Sequence, residues 1–147
     1  MMRALLPTLS RWLLGGLFIF ASGLKVADPR AFARVIADYQ LPADALLPAV
    51  AVLLPWWELV AGALAIAGPW RRGALAVLTA LSALFVVIGS ITLARGLSPV
   101  CGCFGSLSSR VGPATLLLEL ATLALGAWLL RRELIGSNGT SATKSPP

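Results

Sequence analysis

GALAVLTALSALFVVIGSITLA, residues 73–94, holds 22 residues without a charge between Arg72 and Arg95. A helix of that length is about 33 Å long at 1.5 Å per residue, enough to cross a hydrocarbon core of about 30 Å. A soluble helix would carry a polar face, whereas this stretch is apolar around its whole circumference. It reads as a transmembrane span, and the flanking sequence is to be read with lipid as the solvent.

Two more apolar segments lie on the N-terminal side. Residues 45–67 form a span with Pro48 and Pro55 inside it and Glu58 near its middle, and Gly68-Pro69-Trp70-Arg71-Arg72 is a tight basic turn leading into the next span. The first segment, about residues 10–26, has only 13 uncharged residues between Arg11 and Lys25. That is roughly 20 Å of helix, short for a bilayer unless Arg11 and Lys25 reach outward to the two interfaces. Arg3 and Arg11 ahead of an apolar core ending in Ala21-Ser22-Gly23 also match the outline of a cleaved signal peptide, a second reading of the same segment. On the C-terminal side, residues 112–130 make a fourth span that contains Glu119 and stops at Arg131-Arg132. The expected architecture is all-α: one integral membrane four-helix domain over residues 1–135, then a Gly/Ser/Thr/Pro-rich tail over 136–147 expected to be disordered.

Between the first two spans, Phe32, Val35, Ile36 and Tyr39 recur at i, i+3, i+4 and i+7, which predicts a short amphipathic helix. Asp28-Pro29 supplies an N-cap and a first-turn proline, and Pro42 a stop. Its apolar face would lie on the membrane surface or against the bundle.

Composition agrees. Of 147 residues 58% are hydrophobic and 12% charged, against about 25% charged in soluble domains. The net charge of +6 sits in ones and twos at the ends of spans rather than in a run or stripe, so no nucleic-acid partner is expected. With the N-terminus in the cytoplasm, Arg3, Arg11, Arg71, Arg72, Arg131, Arg132 and Lys144 fall inside, and Lys25, Arg30, Arg34, Arg95 and Arg110 outside. The bias favours both termini inside and the loop after the third span outside. Histidine is absent, which removes bis-His haem, His-containing zinc sites and the commonest general base. Two cysteines cannot by themselves hold a four-thiolate site, and no metal is expected.

Those two cysteines are in the outer loop, RGLSPVCGCFGSLSSR, residues 95–110. Extracytoplasmic thiols this close tend to be oxidised. A Cys101–Cys103 disulfide would close a small strained ring over Gly102, and strain makes such a bond easier to reduce. The pair is therefore a candidate thiol–disulfide exchange site; structural cysteines and a soft-metal thiolate site are the competing readings. Glu58 and Glu119 are candidate functional groups inside the membrane, where a carboxyl group generally faces the bundle interior. Each lies on a stripe of small or polar residues: Glu58, Gly62 and Ala65 on the second span, and Thr115, Glu119, Thr122 and Gly126 on the fourth. Thr79, Ser82 and Gly89 share a face of the third. The competing reading makes both acids packing residues in interhelical hydrogen bonds.

RWLLGGLFIFASGLKVADPRAFARVIADYQLP at residues 11–42, LPWWELVAG at 54–62 and RGLSPVCGCFGS at 95–106 together resemble the MauE family of methylamine-utilisation membrane proteins, in the DoxX-like superfamily. The resemblance runs from about Arg11 to Leu130 and implies a four-helix bundle in the bacterial inner membrane. It also implies work beside a periplasmic thioredoxin-like partner, MauD, in forming the disulfides of the exported methylamine dehydrogenase small subunit. Cys101 and Cys103 become the redox pair, and Lys25 and Glu58 become pattern residues without an assigned role. At Leu118-Glu119-Leu120 the chain departs from similar proteins, which often have a basic residue there. One cysteine pair gives one redox couple, so electrons would pass on to a quinone or to a partner chain. The alternatives are a non-catalytic assembly or docking subunit and a DoxD-like quinone-linked oxidoreductase subunit.

Overall fold

The computed structural model describes residues 2–40, 46–97, 99–101 and 110–141. They form five helices: α1 (Met2–Ala27), α2 (Pro29–Asp38), α3 (Leu47–Ala67), α4 (Arg71–Ala94) and α5 (Pro113–Ser141). Four of these are long and apolar enough to cross a membrane, over Leu5–Ala27, Pro48–Ala67, Arg71–Ala94 and Pro113–Gly136. Among the described residues there is no strand, only a single antiparallel bridge between Val100 and Arg110.

The elements start and stop where local chemistry requires. Asp28 caps α2, its carboxylate accepting from the Ala31 N–H at 2.9 Å, and Pro29 follows in the first turn, where no amide donor is needed. The helix ends at Asp38, and Gln40 then takes the left-handed conformation at φ +50°, ahead of Pro42, which lies outside the described residues. Pro48 falls in the first turn of α3 and leaves its hydrogen bonding intact, whereas Pro55 is interior and removes the donor that would reach Ala51. Gly68 closes α3 at φ +101°, its N–H donating to the Leu64 carbonyl at 3.1 Å.

The first helix differs from its expected span in a way that matters. It begins at Met2 and passes through Pro7, so its length comes from residues ahead of Arg11. Lys25 does not reach outward to an interface: it is 2% exposed, inside the bundle. The expected boundary treated Lys25 as an exposed end; an internal carboxylate partner is what allows it to be buried. At the other end of the chain, α5 continues to Ser141, past Gly136 where the tail was expected to begin. Extending an existing helix adds one hydrogen bond per residue fixed, so weak formers can follow a strong segment. Residues 142–147 lie outside the described residues.

The helices pack in two close pairs, α1 with α3 and α4 with α5, joined mainly along α3 and α4. Gly15 and Gly62 make the first pair possible: a Cβ on Gly15 would lie 2.8 Å from the Gly62 carbonyl oxygen, and one on Gly62 2.9 Å from the Gly15 oxygen. Gly126 plays the same part in the second, where a Cβ would meet Thr79 Oγ1 at 2.8 Å. The apolar core is built from Leu14 and Phe18, Ala61 and Ala65, Leu75 and Leu78, and Leu129. At that end of the bundle Glu133 Oε1 accepts from Arg11 at 3.4 Å and from Arg71 at 3.3 Å, tying α1, α4 and α5 together. The candidate site lies toward the opposite end, with α2, Cys101 and the first turns of α5.

Candidate functional site

The buried face of α1 reads Leu14, Phe18, Ala21, Ser22, Lys25, and that of α3 reads Ala51, Pro55, Glu58, Ala61, Ala65. Both follow helical spacing, so Lys25 and Glu58 are carried inward by stripes that are otherwise small or apolar. They meet there. Lys25 Nζ donates to Glu58 Oε1 at 2.8 Å and to Oε2 at 2.7 Å, and Glu58 is fully buried. The ammonium also lies 5.2 Å from the ring centroids of Phe32 on α2 and Phe85 on α4, within cation–π range of both. Four helices thus converge on one ammonium group. A lone charge in this setting would be costly; paired and ringed, it fixes how α1, α2, α3 and α4 meet.

A second pair forms from the cysteine loop. The Val100–Arg110 bridge closes that loop at its base, and the Val111 N–H donates to the Pro99 carbonyl at 2.8 Å. Cys101 sits just inside the closure, 2% exposed, with its Sγ 3.8 Å from Glu119 Oε1. Glu119 stands on α5 facing α4 at Gly89, where a Cβ would come within 3.1 Å of Glu119 Oε2. A larger residue at position 89 would press on the carboxylate that meets the sulfur. Cys103 lies outside the described residues.

Between the two pairs is a cavity of about 410 Å³, bounded by α2, the first half of α3, the second half of α4 and Glu119. Phe32 and Phe85, which flank the Lys25 ammonium, line it, as do Tyr39 and Trp57. Apolar side chains make up nearly all of its wall. It falls within the size range of small-molecule sites, and Glu119 is its acidic group. The amphipathic face Phe32, Val35, Ile36, Tyr39 of α2 therefore faces this cavity and the bundle.

The structure brings the candidate residues together in two separate couples, Lys25 with Glu58 and Cys101 with Glu119. It does not join them into one cluster. Of the polar stripes, Thr115 caps α5 through Gly112, Thr122 donates to the Glu119 carbonyl at 2.8 Å, and Ser82 donates to the Leu78 carbonyl at 2.9 Å, so these hydroxyls serve the backbone. Reading the sequence missed Phe32 and Phe85 as partners of Lys25. The signal for Phe32 was present, since it leads the apolar face of α2; nothing in the spacing of α4 singles out Phe85.

A bundle of four apolar helices, with a short amphipathic helix between the first two, defines a multi-pass membrane protein. Residues 3–132 match the family methylamine utilisation protein MauE, and the chain belongs to that family. No curated protein and no solved structure matches it.

Proposed function

We propose that the protein is the membrane component of an extracytoplasmic thiol–disulfide system that assists maturation of an exported enzyme of the methylamine dehydrogenase type. The observation that carries this reading is the placement of Cys101: its sulfur is held beside the Glu119 carboxylate at the end of the bundle where the loop closes. In this reading both termini are cytoplasmic, the membrane is the bacterial inner membrane, and the Cys101/Cys103 loop faces the periplasm.

Burial divides the labour between the two sulfurs. An incoming protein cannot reach a sulfur that is 2% exposed, so Cys103 is the one attacked and Cys101 the one released. A thiolate of a periplasmic thioredoxin-like protein attacks Cys103, the 101–103 bond breaks, and a mixed disulfide forms through Cys103. The second thiol of the partner then displaces Cys103. The partner leaves oxidised and Cys101/Cys103 remain as a dithiol.

The test is trapping in cells by acid quench and alkylation. With Cys101→Ser, the Cys103 thiolate attacks the disulfide of the oxidised thioredoxin-like protein and a mixed disulfide is trapped; with Cys103→Ser it is not. The same burial of Cys101 also favours a second reading, a docking subunit whose loop cysteines only shape a surface, and in that case neither variant traps a partner.

A further inference from the structure

The cavity and the sulfur share one group. Glu119 lines the cavity and at the same time sits 3.8 Å from Cys101 Sγ, so a carboxyl links a thiol to an apolar cleft that opens on the outer face of the bundle, where Leu53, Trp57 and Leu84 are exposed. The chain holds two cysteines, which make one redox couple, and no histidine. Once reduced, that couple needs a two-electron acceptor, and an acceptor dissolved in the bilayer would enter among apolar helices rather than through water.

We infer that the cavity between α2, α3 and α4 binds the ring of a membrane quinone, with one ring carbonyl toward Glu119, as the electron acceptor for Cys101 and Cys103. This rests on the thiol–disulfide reading above and names its acceptor. The walls suit a flat ring: Phe32, Tyr39, Trp57 and Phe85 line the cavity together with Leu53 and Ile88. A volume of about 410 Å³ admits a substituted ring with the start of an isoprenoid tail. An acyl chain would fit the apolar walls but has no group for the carboxyl to engage. The balance is complete: two S–H bonds break, one S–S bond forms, and two electrons and two protons pass to the ring, which becomes a hydroquinone. Glu119 accepts the Cys101 proton and hands it to the ring oxygen, so it positions and relays while the sulfurs supply the electrons.

The test uses the full-length protein in nanodiscs of defined phospholipid, titrated with decylubiquinone. Saturable quenching of tryptophan fluorescence is expected, most of it lost in Trp57→Phe. Ala49→Phe and Leu84→Trp, which fill the cavity from two different helices, each weaken binding by about tenfold or more, provided thermal melts show them folded. Cys101→Ser/Cys103→Ser leaves binding unchanged, because the ring rests on the walls and not on the sulfurs. Reduced wild type converts added quinone to quinol one-for-one with disulfide formed, and Glu119→Gln slows that conversion even at saturating quinone. Non-saturable quenching, or equal displacement by a simple alkane, shows a lipid-filled cleft and overturns the inference. So does tight binding without any oxidation of the dithiol. If no quinone binds but the mixed disulfide with a thioredoxin-like protein still forms in cells, the acceptor assignment fails while the exchange reading stands.

Discussion

Lys25 Nζ meets Glu58 bidentately, at 2.8 Å from Oε1 and 2.7 Å from Oε2, and both side chains are closed off from the surroundings. Removing one member leaves an uncompensated buried charge, which costs about 3–5 kcal/mol, whereas removing both can be close to neutral. Lys25→Met and Glu58→Met should therefore each lower the unfolding midpoint of the detergent-solubilised protein sharply. The double variant should recover most of that loss. A double variant as unstable as the sum of the singles would mean the two residues act independently.

Close approach of α1 and α3 at Gly15 and Gly62 is the second feature open to direct trial. Gly15→Val places methyl groups against the Gly62 carbonyl and Ile66, and overpacking of this kind costs about 1–3 kcal/mol. Gly16→Val is the matched control, since a Cβ at Gly16 meets nothing within 4 Å. The measurement is the shift in thermal midpoint, large for position 15 and near zero for position 16.

Glu133 joins Arg11 and Arg71, but its side chain is 27% exposed and Arg71's is 35%. Partly solvated pairs contribute about 1 kcal/mol or less. Glu133→Gln should thus change the midpoint far less than Glu58→Met, and added salt should shrink the difference further. A loss as large as that at Glu58 would show that this end of the bundle, rather than the Lys25 junction, holds the helices in register.

The Cys101–Glu119 contact predicts a change in thiol reactivity. Glu119 Oε1 faces the Cys101 sulfhydryl at 3.8 Å and is placed to take its proton, which an amide cannot do. In a Cys103→Ser background, where Cys101 is the single thiol, Glu119→Gln should lower the rate of alkylation by a small thiolate-selective reagent at fixed pH. An unchanged rate would show that the carboxylate does not act on the sulfur.

Much of the fold was legible from the chain because lipid imposes a simple rule on composition: residues 73–94 could be nothing but a span, and the paired arginines at 71–72 and 131–132 marked two boundaries. The Asp28-Pro29 start of α2 was equally local, a cap and a first-turn proline side by side. Lys25 was misread for the complementary reason. A lysine between an apolar run and a polar connection looks like an outward-reaching end, and the partner that permits its burial is 33 residues away. Cys101 and Glu119, 18 residues apart, were each singled out by type but could not be joined by spacing. The cavity was not legible at all, since its walls come from four helices whose mutual placement only the packed bundle supplies.

The redox state of Cys101 and Cys103 in growing cells shows whether the pair cycles. Acid-quenched alkylation with a mass-shifting maleimide, in cells maturing an exported disulfide-rich partner, should show both dithiol and disulfide forms. The Cys101→Ser/Cys103→Ser variant, inserted and folded, should leave that partner reduced and immature. A pair that stays fully oxidised under every growth condition, with partner maturation intact in the double variant, would mean that Cys101 and Cys103 do not exchange.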